Sequence, residues 1–225
     1  AVACSSGHAA QQLAFAALIS NGDHFIASNK LYGGSINQFT KTFKNFGWDC
    51  TLVDPENINN FENAIRKNTK LFFIETLSNP DGSILDVESI SKVAKKYHIP
   101  LIVDNTLASP FLHNPIDWGA NIITHSLTKF IGGHGTVIGG CLVDGGNFDW
   151  TADPKRQPLF NEPDPSYGGA VWGKVVPELT GANVAYAVRA RVVLLRDLGS
   201  ALAPDNAFGI IQGVETDKLS TVTYT

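Results

Sequence analysis

The chain has 225 residues, 44% hydrophobic and 17% charged, a balance that fits a folded globule of one large domain with or without a small addition. Its 17 basic and 21 acidic residues leave a formal net charge of −4 and no basic block, which excludes the clustered Lys/Arg footprint of a nucleic-acid binder. The longest apolar runs, such as Leu71–Ile74, are far too short to span a bilayer, and Ala1–Ala10 has neither the basic start nor the apolar stretch of a signal peptide.

The order of apolar runs and amphipathic segments points to an α/β fold with a largely parallel sheet. Ala1–Ala3 reads as a strand that runs into a Ser/Gly turn, and His8–Ser20 as a mostly buried helix. His24–Ser28 is the next strand, Gly33–Phe46 a helix, Asp49–Val53 a strand and Ile58–Lys67 a helix. Lys70–Thr76 is a strong strand; Val87–Tyr97 is a helix capped by Asp86; Pro100–Asp104 is a buried strand. Asn121–Thr124 and Thr136–Val143 complete the set of strands. From Gly145 to Leu179 Pro, Gly, Asp and aromatic residues dominate, and a long loop or insertion is expected. Asn183–Leu198 then reads as an amphipathic helix, and Thr216–Thr225 as a possible strand. Cys4, Cys50 and Cys141 are odd in number, widely spaced and in no metal-like pattern, which predicts buried, reduced thiols and a cytoplasmic setting. There is no Met, position 1 included, and the chain opens mid-pattern, so a fragment or an edited sequence is expected.

In open α/β sheets ligands bind beyond the carboxyl ends of the strands. The predicted strand ends there carry Glu75 with Asn79 in the following loop, Asp104 with Thr106, and His125-Ser126-Leu127-Thr128-Lys129. Tyr32-Gly33-Gly34 follows the strand at 24–28, and Ser6-Gly7-His8 sits at a helix N-terminus. Lys129 alone reads as a surface lysine, Asp104 as a cap or turn residue, and Ser6-Gly7 as an ordinary N-cap. Together they suit the parts of pyridoxal 5′-phosphate (PLP). A lysine amine can form the covalent imine, and an acidic partner keeps the pyridine nitrogen protonated. Amides at a helix N-terminus with Ser and Thr hydroxyls neutralise a phosphate, and a Tyr ring can stack on the cofactor. Two other readings fail. Gly132-Gly133-His134-Gly135 lacks the last glycine of a dinucleotide fingerprint, because Ile138 stands there, and the strand follows it instead of preceding it. His125 and His134 have no Cys, Asp or Glu spaced to complete a metal site, so no metal is expected.

Leu101–Thr106 (LIVDNT), Asn121–Gly140 (NIITHSLTKFIGGHGTVIGG), Ser6–Ala10, Leu31–Gly34 and Glu75–Pro80 occur in the same order as in the Cys/Met-metabolism family of PLP enzymes, which this chain resembles over residues 1–215. Lys129–Thr136 leading to Gly146–Trp150, and the segment Glu162–Tyr167, are similar to the O-acetylhomoserine sulfhydrylase branch. The resemblance implies the large domain of an aspartate-aminotransferase-like (fold type I) transferase over 1–215, with 145–180 as an insertion and 216–225 as an unmatched tail. It implies Lys129 as the cofactor-bearing lysine and proton shuttle, Asp104 on the pyridine nitrogen, and Tyr32 stacked near the reacting carbon. It places the phosphate on Gly7 and His8 amides with the Ser126 and Thr128 hydroxyls, the phenolic oxygen on Asn79, and Thr106 beside the ring; Ser6, at the helix start, is a further candidate cofactor-binding residue. The implied reaction is γ-replacement on O-acetyl-L-homoserine by sulfide or a thiol, giving homocysteine or methionine. Alternatives are cystathionine γ-synthase, cystathionine γ-lyase or methionine γ-lyase chemistry, or a cofactor-free α/β fragment. The family's N-terminal arm and its C-terminal domain, which carries the Arg for the substrate carboxylate, are not recognisable here. A homotetramer built as a dimer of dimers is implied, with small-molecule partners and neither nucleic acid nor membrane.

Overall fold

A computed structural model describes residues 1–219, which form a seven-stranded sheet in the order β1-β7-β6-β5-β4-β2-β3. The strands are β1 (Val2–Cys4), β2 (His24–Ser28), β3 (Asp49–Val53), β4 (Thr69–Glu75), β5 (Leu101–Asp104), β6 (Ile122–Ser126) and β7 (Gly140–Asp144). β3, β2, β4, β5 and β6 pair in parallel, and β7 pairs antiparallel with both β6 and β1. β7 therefore runs against all the others, and the chain leaves β1 at the same edge where β4, β5 and β6 end.

Alternate side chains of the central strands feed two apolar layers, as a sheet covered on both faces requires. Phe25, Ala27, Leu71, Phe73 and Ile102 face one cluster. Ile26, Phe72, Ile74, Leu101 and Val103 face the other. The first cluster is built on phenylalanine: the Phe39 ring lies 5.0 Å from Phe15, 5.4 Å from Phe25 and 4.9 Å from Phe73, centroid to centroid. Phe15 comes from the helix Gly7–Ala16 and Phe39 from the helix Gly33–Asn37 as continued by a π-helical turn Gln38–Thr42 and by Phe43–Asn45, while β2 and β4 supply Phe25 and Phe73. On the opposite face lies Val87–Lys96, whose Asp86 cap accepts the Ser89 amide at 2.9 Å.

Four expectations change. The helix expected at 58–67 shrinks to Asn59–Asn63, because the chain turns back where the Thr69 hydroxyl accepts the Arg66 amide. The strand expected at 136–143 starts only at Gly140, since Val137 is diverted to pack with Leu127, Ile131 and Ile210. The stretch 145–179 is not an unstructured insertion. It includes the helix Trp172–Thr180, whose pattern is masked by an internal Pro177 and only two buried positions, Trp172 and Val176. A strand at 216–225 is replaced, as far as Leu219, by the helix Pro204–Leu219; residues 220–225 lie outside the described part. Among residues 204–216 of that helix, whose burial is described, one apolar side chain, Ile210, is well buried, so that stretch shows little of a hydrophobic stripe. No helix among the described residues is long and apolar enough to cross a membrane.

Candidate active site

At the carboxyl edge the parallel register sets Glu75 beside Asp104, and Asp104 beside Thr124. A cavity of about 350 Å³ opens over this edge. All ten predicted site residues line it: Ser6, Gly7, His8, Tyr32, Asn79, Asp104, Thr106, Ser126, Thr128 and Lys129. So do five that the sequence reading did not assign: Gln11, Ser35, Glu75, Leu77 and Leu107.

One wall is a helix N-terminus. The Ser6 hydroxyl accepts the Ala9 amide at 3.1 Å, and the Ser6 carbonyl accepts the Ala10 amide at 2.9 Å. The earlier amides, Gly7 and His8, precede the first intrahelical bond and carry the positive end of the helix dipole. This wall fits closely against the strand ends. A Cβ on Gly7 would come within 2.7 Å of the Ser126 Cβ, and one on Gly140 within 2.0 Å of the Ser6 carbonyl oxygen.

The floor is the Asp104 carboxylate. Its Oδ1 accepts the Thr106 amide at 3.0 Å; its Oδ2 accepts the Thr124 hydroxyl at 2.9 Å and the Gln11 amide nitrogen at 3.2 Å. The Thr106 hydroxyl in turn accepts the Ser126 amide at 2.8 Å, locking the end of β5 to the end of β6. Glu75 is a second buried carboxyl, accepting the Tyr32 amide at 2.8 Å and the Asn79 amide at 3.3 Å. Burial pushes its pKa up to about 8, opposed by the Tyr32 amide and helped by the nearby Asp104 charge. Glu75 thus holds the backbones of the Tyr32 and Asn79 segments on either side of the cavity. Tyr32 itself is half exposed and tilts against His8 with 5.9 Å between ring centroids.

Lys129 lies in the turn after β6, held by its neighbours. Leu127 is buried beneath it, the Gly132 amide returns to Leu127 O at 2.9 Å, and Gly133 to Lys129 O at 2.7 Å. The Thr128 hydroxyl donates to Gly139 O at 3.2 Å and accepts the Gly139 amide at 3.1 Å, so its single proton is already used. Among the described residues the Lys129 amine enters no ion pair and no hydrogen bond. His125 is buried in β6, and His134 Nδ1 meets Gly132 O at 2.7 Å. The thiols are free and raised by burial, Cys4 to about 11 and both Cys50 and Cys141 to about 12, which keeps them protonated and unreactive.

Ring-sized room, a free amine, a buried carboxylate, an aromatic and open helix-terminal amides form a donor set that fits PLP. Glu75 was visible at a predicted strand end, where no role was assigned to it. Gln11 had little signal, being one of two adjacent glutamines, Gln11 and Gln12, in the otherwise apolar stretch 9–16.

Comparison with known proteins gives the same direction. The family model described as Cys/Met metabolism PLP-dependent enzyme matches residues 1–221. The chain is 46% identical over 220 residues to the O-acetyl-L-homoserine sulfhydrylase of Leptospira meyeri, covering 96% of this chain and 49% of that protein. A Campylobacter jejuni structure that holds N′-pyridoxyl-lysine-5′-monophosphate superimposes with a TM-score of 0.90 at 38% identity, covering 97% of this chain and 52% of that one. The O-acetylhomoserine sulfhydrylase of Wolinella succinogenes superimposes with a TM-score of 0.79 at 30% identity, over 98% of this chain and 58% of that one. The chain thus spans about half the length of the curated relatives it matches. It belongs to the Cys/Met-metabolism family of PLP-dependent enzymes.

Proposed function

We propose that this chain carries the cofactor site of a transferase that replaces the acetoxy group of O-acetyl-L-homoserine with sulfide or a thiol, giving homocysteine or methionine. The observation that carries the reading is the convergence of Lys129, Asp104, Tyr32 and the Gly7–His8 helix terminus on one cavity. The 46% identity to a sulfhydrylase supports replacement over elimination. PLP, when bound, supplies an electron sink for charge developing on the substrate's α-carbon. Lys129 would hold the cofactor, and its Nζ would take the proton from the substrate's α-carbon and carry it onward. Asp104 keeps the pyridine nitrogen protonated; Tyr32 covers the ring face; Asn79 meets the phenolic oxygen, and Thr106 lies beside the ring. The Gly7 and His8 amides with the Ser6 and Ser126 hydroxyls bind the phosphate, and the Thr128 hydroxyl joins them when its proton turns from the Gly139 carbonyl. We further assign residues 1–215 to one PLP-binding domain and place the enzyme in the cytoplasm as a dimer of dimers, readings supported by the family's pattern and by the unpaired cysteines.

The test is a product assay with O-acetyl-L-homoserine and sulfide. Homocysteine without ammonia is expected. Ammonia and a 2-oxoacid as the main products would replace the reading with a γ-lyase.

A further inference from the structure

Gln11 is 4% exposed, in the middle of the helix Gly7–Ala16, and the chemistry above makes no use of it. Its amide nitrogen donates both to Asp104 Oδ2 at 3.2 Å and to the Ser35 hydroxyl at 3.1 Å. Its Oε1 is buried with no partner. Flipping the amide is no remedy, because an ionised carboxylate only accepts, and Oε1 would then face Asp104 oxygen against oxygen. The fold therefore keeps an unsatisfied buried carbonyl oxygen, which costs free energy and calls for a compensating use. An apolar residue here would avoid that cost, as its neighbours Ala10 and Ala14 do.

The geometry points to Gln11 as a positioning residue: it orients the Asp104 carboxylate and ties it to the two helices that frame the cofactor. Ser35 lies one turn after Tyr32, the N-cap of Gly33–Asn37, and Gln11 lies one turn after Gly7. One side chain therefore joins the phosphate-end helix, the Tyr32 helix and the strand end that bears the carboxylate. With Gln11 gone, Asp104 keeps, among the described residues, the Thr106 and Thr124 donors and is left freer to rotate.

This rests on the PLP reading above, so the protein without substitution is the first arm of the test. Gln11→Leu and the near-isosteric Gln11→Glu are compared with it by thermal melting of the apo-protein, PLP titration and the visible spectrum of the loaded protein. We expect Gln11→Leu to melt at or above the unsubstituted protein, because the orphan oxygen is gone. It should bind PLP roughly tenfold more weakly, with a displaced visible band, the size set by one charge-assisted hydrogen bond. Gln11→Glu, which sets a second carboxyl against Asp104, should bind PLP more weakly still; it also serves as the readout should Gln11→Leu fail to fold. Unsubstituted affinity and an unshifted band in whichever variant folds would overturn the role of Gln11 alone. No PLP on the unsubstituted protein would overturn the PLP reading, and this inference with it.

Discussion

The phenylalanine cluster beneath the sheet and the cavity at its carboxyl edge lie on the same strands and are built on opposite principles. β4 sends Phe73 into a layer where Phe15, Phe25, Phe39 and Phe43 are wholly buried within an apolar cluster. At its end, the same strand delivers Glu75 to a wall where two carboxyls, Glu75 and Asp104, are buried side by side in register. The first region gains stability from area removed from water. The second gives stability up, holding a carboxyl of raised pKa and the unpartnered Gln11 oxygen to keep polar groups aimed at one space. Rigidity is supplied by the one region and chemistry by the other.

Substitutions can break that division, and the largest effect belongs to the cavity. Asp104→Asn should leave the fold intact and lower turnover on the order of 100-fold, as loss of a preorganised charge does. A near-normal rate in steady-state kinetics would remove Asp104 from the chemistry. Phe39→Ala should cost about 3–5 kcal/mol in denaturant unfolding, because the ring is fully buried among four others. A loss below about 1 kcal/mol would mean that the cluster collapses around the gap.

The third prediction concerns pH. Glu75 titrates at about 8 in the fold and near 4.5 when unfolded, so its contribution is complete below 4.5 and is lost as pH rises through about 8. Stability should therefore decline between those values, by on the order of a few kcal/mol from this group, and Glu75→Gln should flatten the decline. An unchanged slope in the variant would place the linkage elsewhere. The smallest effect separates two hydroxyls. Ser126→Ala should weaken PLP binding about tenfold through one lost charge-assisted bond, and Thr128→Ala less, since its proton already goes to Gly139. The reverse order would mean that the Thr128–Gly139 bond opens when phosphate binds.

The sheet was legible because β2, β3, β4 and β5 are short β-rich or apolar runs closed by polar residues, and the functional side chains were legible because they stand at those closures. Asp104 closes the apolar strand β5, and Lys129 stands in the turn three residues after β6. Gln11 and Ser35 were hidden for the opposite reason, as buried polar residues inside helices whose partners are distant in sequence, 93 residues away for the Gln11–Asp104 bond. The helices Trp172–Thr180 and Pro204–Leu219 were missed because few of their residues whose burial is described are buried, leaving almost no periodic stripe to read.

The most direct test of the central claim is to load the purified protein with PLP, record its visible spectrum, reduce with borohydride and map the labelled peptide. The account predicts a visible band and a single pyridoxyl label on Lys129, both abolished by Lys129→Ala. A colourless protein, or a label on any other lysine, would contradict it.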